Sequence, residues 1–77
     1  MQPDRVVFGG GYVLVYPDGS LAALDRVSGG YPYKTHLIPS AQIWLDVTEA
    51  KQYRQMFAEC KFELRPVIGL ALGEPIE

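Results

Sequence analysis

A β-branched and aromatic run, Tyr12-Val13-Leu14-Val15-Tyr16, ends directly on Pro17-Asp18-Gly19-Ser20, and this junction constrains the fold more than any other stretch. Proline fixes φ, aspartate caps the turn with its side chain, and glycine tolerates positive φ. Leu21 to Arg26 then reads as the returning strand, so residues 12–26 are expected as a β-hairpin with a four-residue loop. Upstream, Arg5-Val6-Val7-Phe8 is a short apolar run cut off by Gly9-Gly10-Gly11. It is read as a small strand, an arm or a lead-in. Three glycines also invite a phosphate-nest reading, but no Gly-Lys-Ser/Thr follows and no helix pattern begins there, which favours a flexible turn.

Downstream, Ser28-Gly29-Gly30 releases the chain from the hairpin, and Pro32 restricts Tyr31 to extended geometry. Lys34 to Pro39 shows no period and is expected as a surface loop. Ala41-Gln42-Ile43-Trp44-Leu45 reads as a short strand, or as an extended segment dropping Trp44 onto the core. Asp46-Val47-Thr48-Glu49 fits a capping box, with Asp46 as N-cap. Ala50, Tyr53, Phe57 and Cys60 then recur at +3, +4 and +3, one face of a helix over about Val47 to Cys60. Phe62-Glu63-Leu64-Arg65 alternates apolar and charged residues and reads as a strand under that helix. Pro66 lacks an amide donor, so an edge position or strand end is expected. The order is β-β-β-α-β: an α+β domain, a small antiparallel sheet of three to four strands with one helix on one face. The sheet's other face is expected to be exposed. Residues 1–77 form one domain, with 1–11 as a short strand or arm and 69–77 as an apolar C-terminal tail.

Seventy-seven residues of which 48% are hydrophobic and 21% charged describe a compact domain rather than a disordered segment. A chain this short hides only about 60–65% of its unfolded surface, and small scaffolds often add disulfides, a metal or a partner. Cys60 is the sole cysteine, so no internal disulfide forms, and Cys60 with His36 cannot fill a four-ligand zinc site. Seven Lys and Arg against nine Asp and Glu leave a net charge of −2, with the cations scattered. Direct nucleic-acid binding is disfavoured on that ground. Met1-Gln2-Pro3-Asp4 lacks the basic region and apolar run of a signal peptide. The apolar stretch near Val67–Leu72 falls far short of the ~20 residues of a membrane span. With a free cysteine, these features lead to the expectation of a cytoplasmic protein.

Catalytic constellations are not expected. Asp18 sits in a turn, Asp46 caps a helix, Asp25 pairs locally with Arg26, and Glu49, Glu59 and Glu63 read as solvent-facing. Cys60 on the apolar helical face reads as an inert thiol rather than a nucleophile served by His36. The aromatic loop is the candidate site. Tyr31 and Tyr33 flank Pro32 beside Gly29-Gly30, with Arg26, Ser28, Lys34 and His36 nearby, and tyrosine is enriched in binding surfaces. The structural alternative is that one tyrosine plugs the end of the core while its hydroxyl caps a backbone group.

Leu24-Asp25-Arg26, Ser28-Gly29-Gly30-Tyr31-Pro32-Tyr33, Ala41, Trp44, Glu49-Ala50, Tyr53 and Met56-Phe57 together resemble a pattern in small phage and prophage proteins. The resemblance covers roughly residues 12 to 65; the triple glycine and the apolar tail lie outside it. It implies a phage setting; joined to the small acidic domain, the lack of a catalytic constellation and the Tyr31–His36 loop, it leads to the expectation of a small accessory protein that binds a host protein and blocks or redirects it, for example an inhibitor of host defence or a host-takeover factor, without cofactor or metal. The contact would comprise Arg26, Ser28, Gly29, Gly30, Tyr31, Tyr33, Lys34 and His36. A nucleotide or small-molecule module using Gly29-Gly30 and a stacking tyrosine is the alternative. A homo-oligomeric subunit joined through a sheet edge or the C-terminal tail is the third reading.

Overall fold

A computed structural model of the chain describes residues 10–27, 29–68 and 71–76. The strands are β1 (Tyr12–Val15), β2 (Leu21–Asp25), β3 (Tyr31–Thr35), β4 (Glu63–Ile68) and β5 (Ala71–Leu72). They form one antiparallel sheet in the order β3-β2-β1-β4-β5, and a single α-helix, α1 (Val47–Met56), packs on one face. This is the expected α+β architecture, with one strand more than the expected three to four. The reading of residues 5–8 as a strand or arm lies outside the described residues.

The first hairpin is tighter than its sequence implies. Tyr16 N donates to Ser20 O at 2.7 Å and Gly19 N to Tyr16 O at 2.9 Å, leaving a loop of residues 17–19. Gly19 has φ +92°, the left-handed residue of a bulged three-residue turn. Asp18 accepts from Ser20 N through its side chain, which draws Ser20 into the ladder and buries it.

The third strand lies earlier than expected. Tyr31–Thr35 pairs with β2 along its whole length, from Leu21↔Thr35 to Asp25↔Tyr31. The Ala22 carbonyl accepts from Gln42 N on the other side of β2, so Leu24 and Ala22 turn their backbone groups away from β3. Pro32 opposes Leu24, and its missing N–H therefore falls on the outer edge, where no ladder bond is lost. Lys34 shares that edge register. Together they blunt the edge against strand addition.

Residues 41–45 form no strand of their own but perform a structural task. β1 and β2 pair only at Val15↔Leu21, next to their turn. Where they diverge, Gln42 N donates to Ala22 O on one side, while Trp44 exchanges two hydrogen bonds with Tyr12 on the other, at 2.7 and 2.9 Å. The segment also changes faces. Ile38, Ala41 and Ile43 pack with Val13, Val15, Leu21 and Val67, whereas Trp44 joins Leu14, Ala22, Ala50, Phe62 and Leu64 beneath the helix. The face opposite the helix, expected to be exposed, is thus covered by residues 38–43 together with Leu72.

Asp46 caps α1 as its spacing implies, its carboxylate accepting from Thr48 N at 2.8 Å. The regular helix stops at Met56 rather than Cys60: Phe57 leaves helical geometry and Ala58–Cys60 tightens into a 3-10 turn. β4 then extends through Pro66 instead of ending before it. Val67 N donates to Gly11 O, and the Pro66 carbonyl accepts from Gly73 N on the opposite side, so the proline's absent donor faces away from β1. The apolar tail is used within the chain: Leu72 pairs with Val67, and Ile76 N donates to Leu64 O.

Gly11 is fixed rather than flexible. Its φ is +90°, and a Cβ there would overlap Ile43 Cγ2 and come within 3.2 Å of the Trp44 carbonyl oxygen. Gly29, at φ +88°, has open space around the same position. Gly11→Ala is therefore expected to lose about 3 kcal/mol, combining backbone strain with overpacking, against about 1 kcal/mol for Gly29→Ala. Urea unfolding of the two variants beside the parent chain measures the difference.

Candidate functional site

The described residues of the β2–β3 connection, 26–27 and 29–30, are tied down by hydrogen bonds. Asp25 accepts from Val27 N through its side chain at 3.0 Å and from Gly30 N through its carbonyl at 2.8 Å. Tyr53, from the middle of α1, donates its hydroxyl to Gly30 O at 2.7 Å. Gly29 and Gly30 take φ +88° and +90° and face open space. They are needed for the turn's conformation, which L side chains rarely adopt.

The expected capping tyrosine therefore exists, but it is Tyr53. Placing Tyr53 on the buried helical face is consistent with this, because a tyrosine hydroxyl in such a position seeks a partner. Its ring lies in an aromatic row with Trp44 at 5.2 Å and Phe57 at 4.8 Å between centroids. Burial, with smaller contributions from Tyr16 and Cys60, pushes the Tyr53 hydroxyl up to about 12.

Five of the eight expected site residues come together at this end: Arg26, Gly29, Gly30, Tyr31 and Tyr33. Tyr31 sets its ring edge against Phe57 at 5.7 Å and remains 62% exposed. Tyr33, 50% exposed, borders an open hollow of about 450 Å³ with Leu24, Asp25 and Arg26. Lys34 does not belong to the group. Strand alternation turns it away from Tyr33, and it bonds Asp18 at 2.9 Å while lying over the Tyr16 ring at 5.2 Å. His36 is exposed past the end of β3. Ser28 lies outside the described residues. Val27, which sequence reasoning passed over, is the most exposed large apolar side chain of the tip, at 98%. A lone valine between Arg26 and Ser28 carries no periodic signal that could have found it.

Elsewhere, Asp18, Asp46 and Glu63 hold structural positions. The Lys34 ammonium and the Ser20 amide hold the Asp18 carboxyl down at about 2, and Glu63 pairs with Arg65 at 2.7 Å. Burial, with Glu59 adding, pushes the Cys60 thiol up, away from the reactive thiolate form. Among the described residues, no group of three or more His, Cys, Asp or Glu side chains is placed to hold a metal ion, and no helix is long and apolar enough to cross a membrane. Comparison with protein-family models, curated proteins and solved structures yields no match.

The raised Tyr53 hydroxyl links the tip to pH. Between its ordinary value of 10.0 and about 12, the folded chain keeps a proton that the unfolded chain has lost, so stability is full below pH 10 and falls as pH rises through that window. Tyr53→Phe is expected to lose about 1 kcal/mol at neutral pH with the hydrogen bond. It should also make the alkaline decline shallower. Tyr16, raised by burial as well, retains part of that decline. Thermal unfolding from pH 7 to 12 reads both effects.

Proposed function

We propose that this chain is a small phage-encoded accessory protein that acts by occupying the surface of a host protein, with the β2–β3 tip as its contact. The observation that carries the proposal is a preorganised tip presenting Val27, Tyr31 and Tyr33 at 98%, 62% and 50% exposure. Three hydrogen bonds, at Val27 N, Gly30 N and Gly30 O, hold it in place. Exposed apolar and aromatic side chains carried on a backbone already held by hydrogen bonds are what a binding hot spot requires. Arg26 adds a cation at the rim of the hollow beside Tyr33, and arginine is likewise enriched at such centres. Such a protein inhibits by steric occupation, hiding a partner's working surface without transforming a substrate.

Tyr33→Ala is the cleanest probe, because Tyr31 also packs on Phe57. Immobilised parent chain is expected to retain a specific protein from bacterial lysate, with affinity at least tenfold weaker for Tyr33→Ala and for Val27→Asp, at unchanged melting temperature. A retained set identical for parent and variants, or a thermal shift produced by nucleotides and abolished by Tyr33→Ala, would overturn the proposal in favour of another site or of a small-molecule module.

A further inference from the structure

Pro17-Asp18-Gly19-Ser20 carries a reactive dipeptide as well as a turn. Of the four aspartates in the chain, Asp18 is the one followed by glycine, and the sequence contains no asparagine. Beside glycine, which has no side chain to obstruct approach, an aspartate can close on the next backbone nitrogen. The Gly19 nitrogen attacks the Asp18 side-chain carboxyl carbon. A C–N bond forms, the amide proton and the carboxyl hydroxyl leave together as water, and a succinimide ring results. Water then reopens the ring at either carbonyl. One opening restores aspartate. The other leaves isoaspartate, in which the backbone runs through the side chain and is one methylene longer. Nothing is oxidised or reduced, and the water released in the first step is regained in the second.

The nucleophile and both carboxyl oxygens are each held by a separate hydrogen bond. Gly19 N donates its proton to Tyr16 O at 2.9 Å. Asp18 Oδ1 accepts from Ser20 N at 2.9 Å, and Asp18 Oδ2 accepts from the Lys34 ammonium at 2.9 Å. Ring closure needs the Gly19 proton released and a carboxyl oxygen protonated, so that it can depart as water. The first bond opposes the former; the other two favour the ionised carboxylate and so oppose the latter. They hold the carboxyl down at about 2, below its ordinary 3.8. Lys34 reaches the turn from β3, so this part of the restraint exists only while β3 is paired with β2. The Asp18 side chain is 52% exposed, so burial is not what shields it.

We infer that Asp18–Gly19 is a latent isoaspartate site, kept closed by the turn's own hydrogen bonds and by the Lys34 contact from β3. The fold suppresses the reaction without burying the residue, and loss of the Lys34 charge or loosening of β3 opens it. Opening has a structural consequence. Residues 17–19 form a loop closed by Tyr16 N donating to Ser20 O at 2.7 Å. A further methylene in that loop displaces Ser20, which is buried immediately before β2. The site lies at the opposite end of β2 from the Tyr31–Tyr33 tip, and neither depends on the other.

Prolonged incubation of the full chain in mildly acidic buffer tests the inference, with isoaspartate counted by enzymatic methylation of its free α-carboxyl group and located by mass spectrometry. The expected product is isoaspartate at Asp18. It should form at least about tenfold more slowly in the folded chain than in guanidinium, because the protonated fraction falls tenfold for each unit of pKa. Lys34→Gln should speed the reaction several-fold while the chain stays folded, and Lys34→Arg, which keeps the cation, should stay near the parent rate. Gly29→Ala, mildly destabilising but away from the turn, should also stay near it, which separates the Lys34 contact from general loss of stability. Added salt, which screens the exposed pair, should speed the parent but not Lys34→Gln. Three results would each overturn the inference: a folded parent as reactive as the unfolded chain, a folded Lys34→Gln no faster than the parent, or a Gly29→Ala chain that speeds as much as Lys34→Gln.

Discussion

The divergence of β1 from β2, and the way residues 42–44 fill it, is the constraint on which the rest of the structure depends. Two strands that separate beyond their turn expose backbone donors and acceptors, and in a small core such groups must be satisfied. Here Gln42 and Trp44 satisfy them, one on each side of the gap. Because the filling segment enters from one face and leaves on the other, it also decides where everything after it must go. Ile43 stays with one layer and Trp44 goes to the other, so α1 can begin only on the helix side, and β4 returns beside β1. Gly11 makes the passage possible, since any side chain there would occupy the space of Ile43.

This arrangement also answers the problem of size. A chain of 77 residues with one cysteine has no covalent staple, and a sheet with one bare face would leave half its apolar residues in water. Instead a connection without regular structure covers that face, using Ile38, Ala41 and Ile43, and the C-terminal strand adds Leu72. On the helix side, the fully buried Ala22 and Ala50 keep side-chain bulk small between strand and helix. Tyr53, Phe57, Phe62 and Tyr16 fill the flanks as a run of ring contacts. The same Tyr53 that closes the core reaches out to Gly30, so core packing and the rigidity of the tip are one arrangement.

Much of this was legible wherever a residue's local chemistry and its tertiary role agree. Pro17-Asp18-Gly19 marks a turn in any context, Asp46 has one use before a helical pattern, and Trp44 is too large to leave in water. β3 was hidden because an edge strand with one side open carries no alternating apolar signal: Tyr31, Pro32, Tyr33, Lys34 and Thr35 read as a loop. The helix end was misjudged because Phe57 and Cys60 still pack on the core after the helix has given way to a 3-10 turn. At the site, Tyr31 and Tyr33 stood out as exposed aromatics. Val27 did not, because a single valine in a turn carries no pattern, and Lys34 was grouped with the tyrosines because the strand that turns it away from them was not visible.

Pro32 on the outer edge of the sheet has a further consequence. An edge able to accept another strand recognises its partner through the backbone, which is the same for every sequence, and its specificity is correspondingly hard to adjust. With that route blunted, whatever docks beside β3 must be read mainly by side chains. Residues 27, 31 and 33 can then be exchanged without disturbing a ladder bond. If the proposed partner docks there, its drift in sequence can be followed one substitution at a time, while the scaffold beneath stays unchanged.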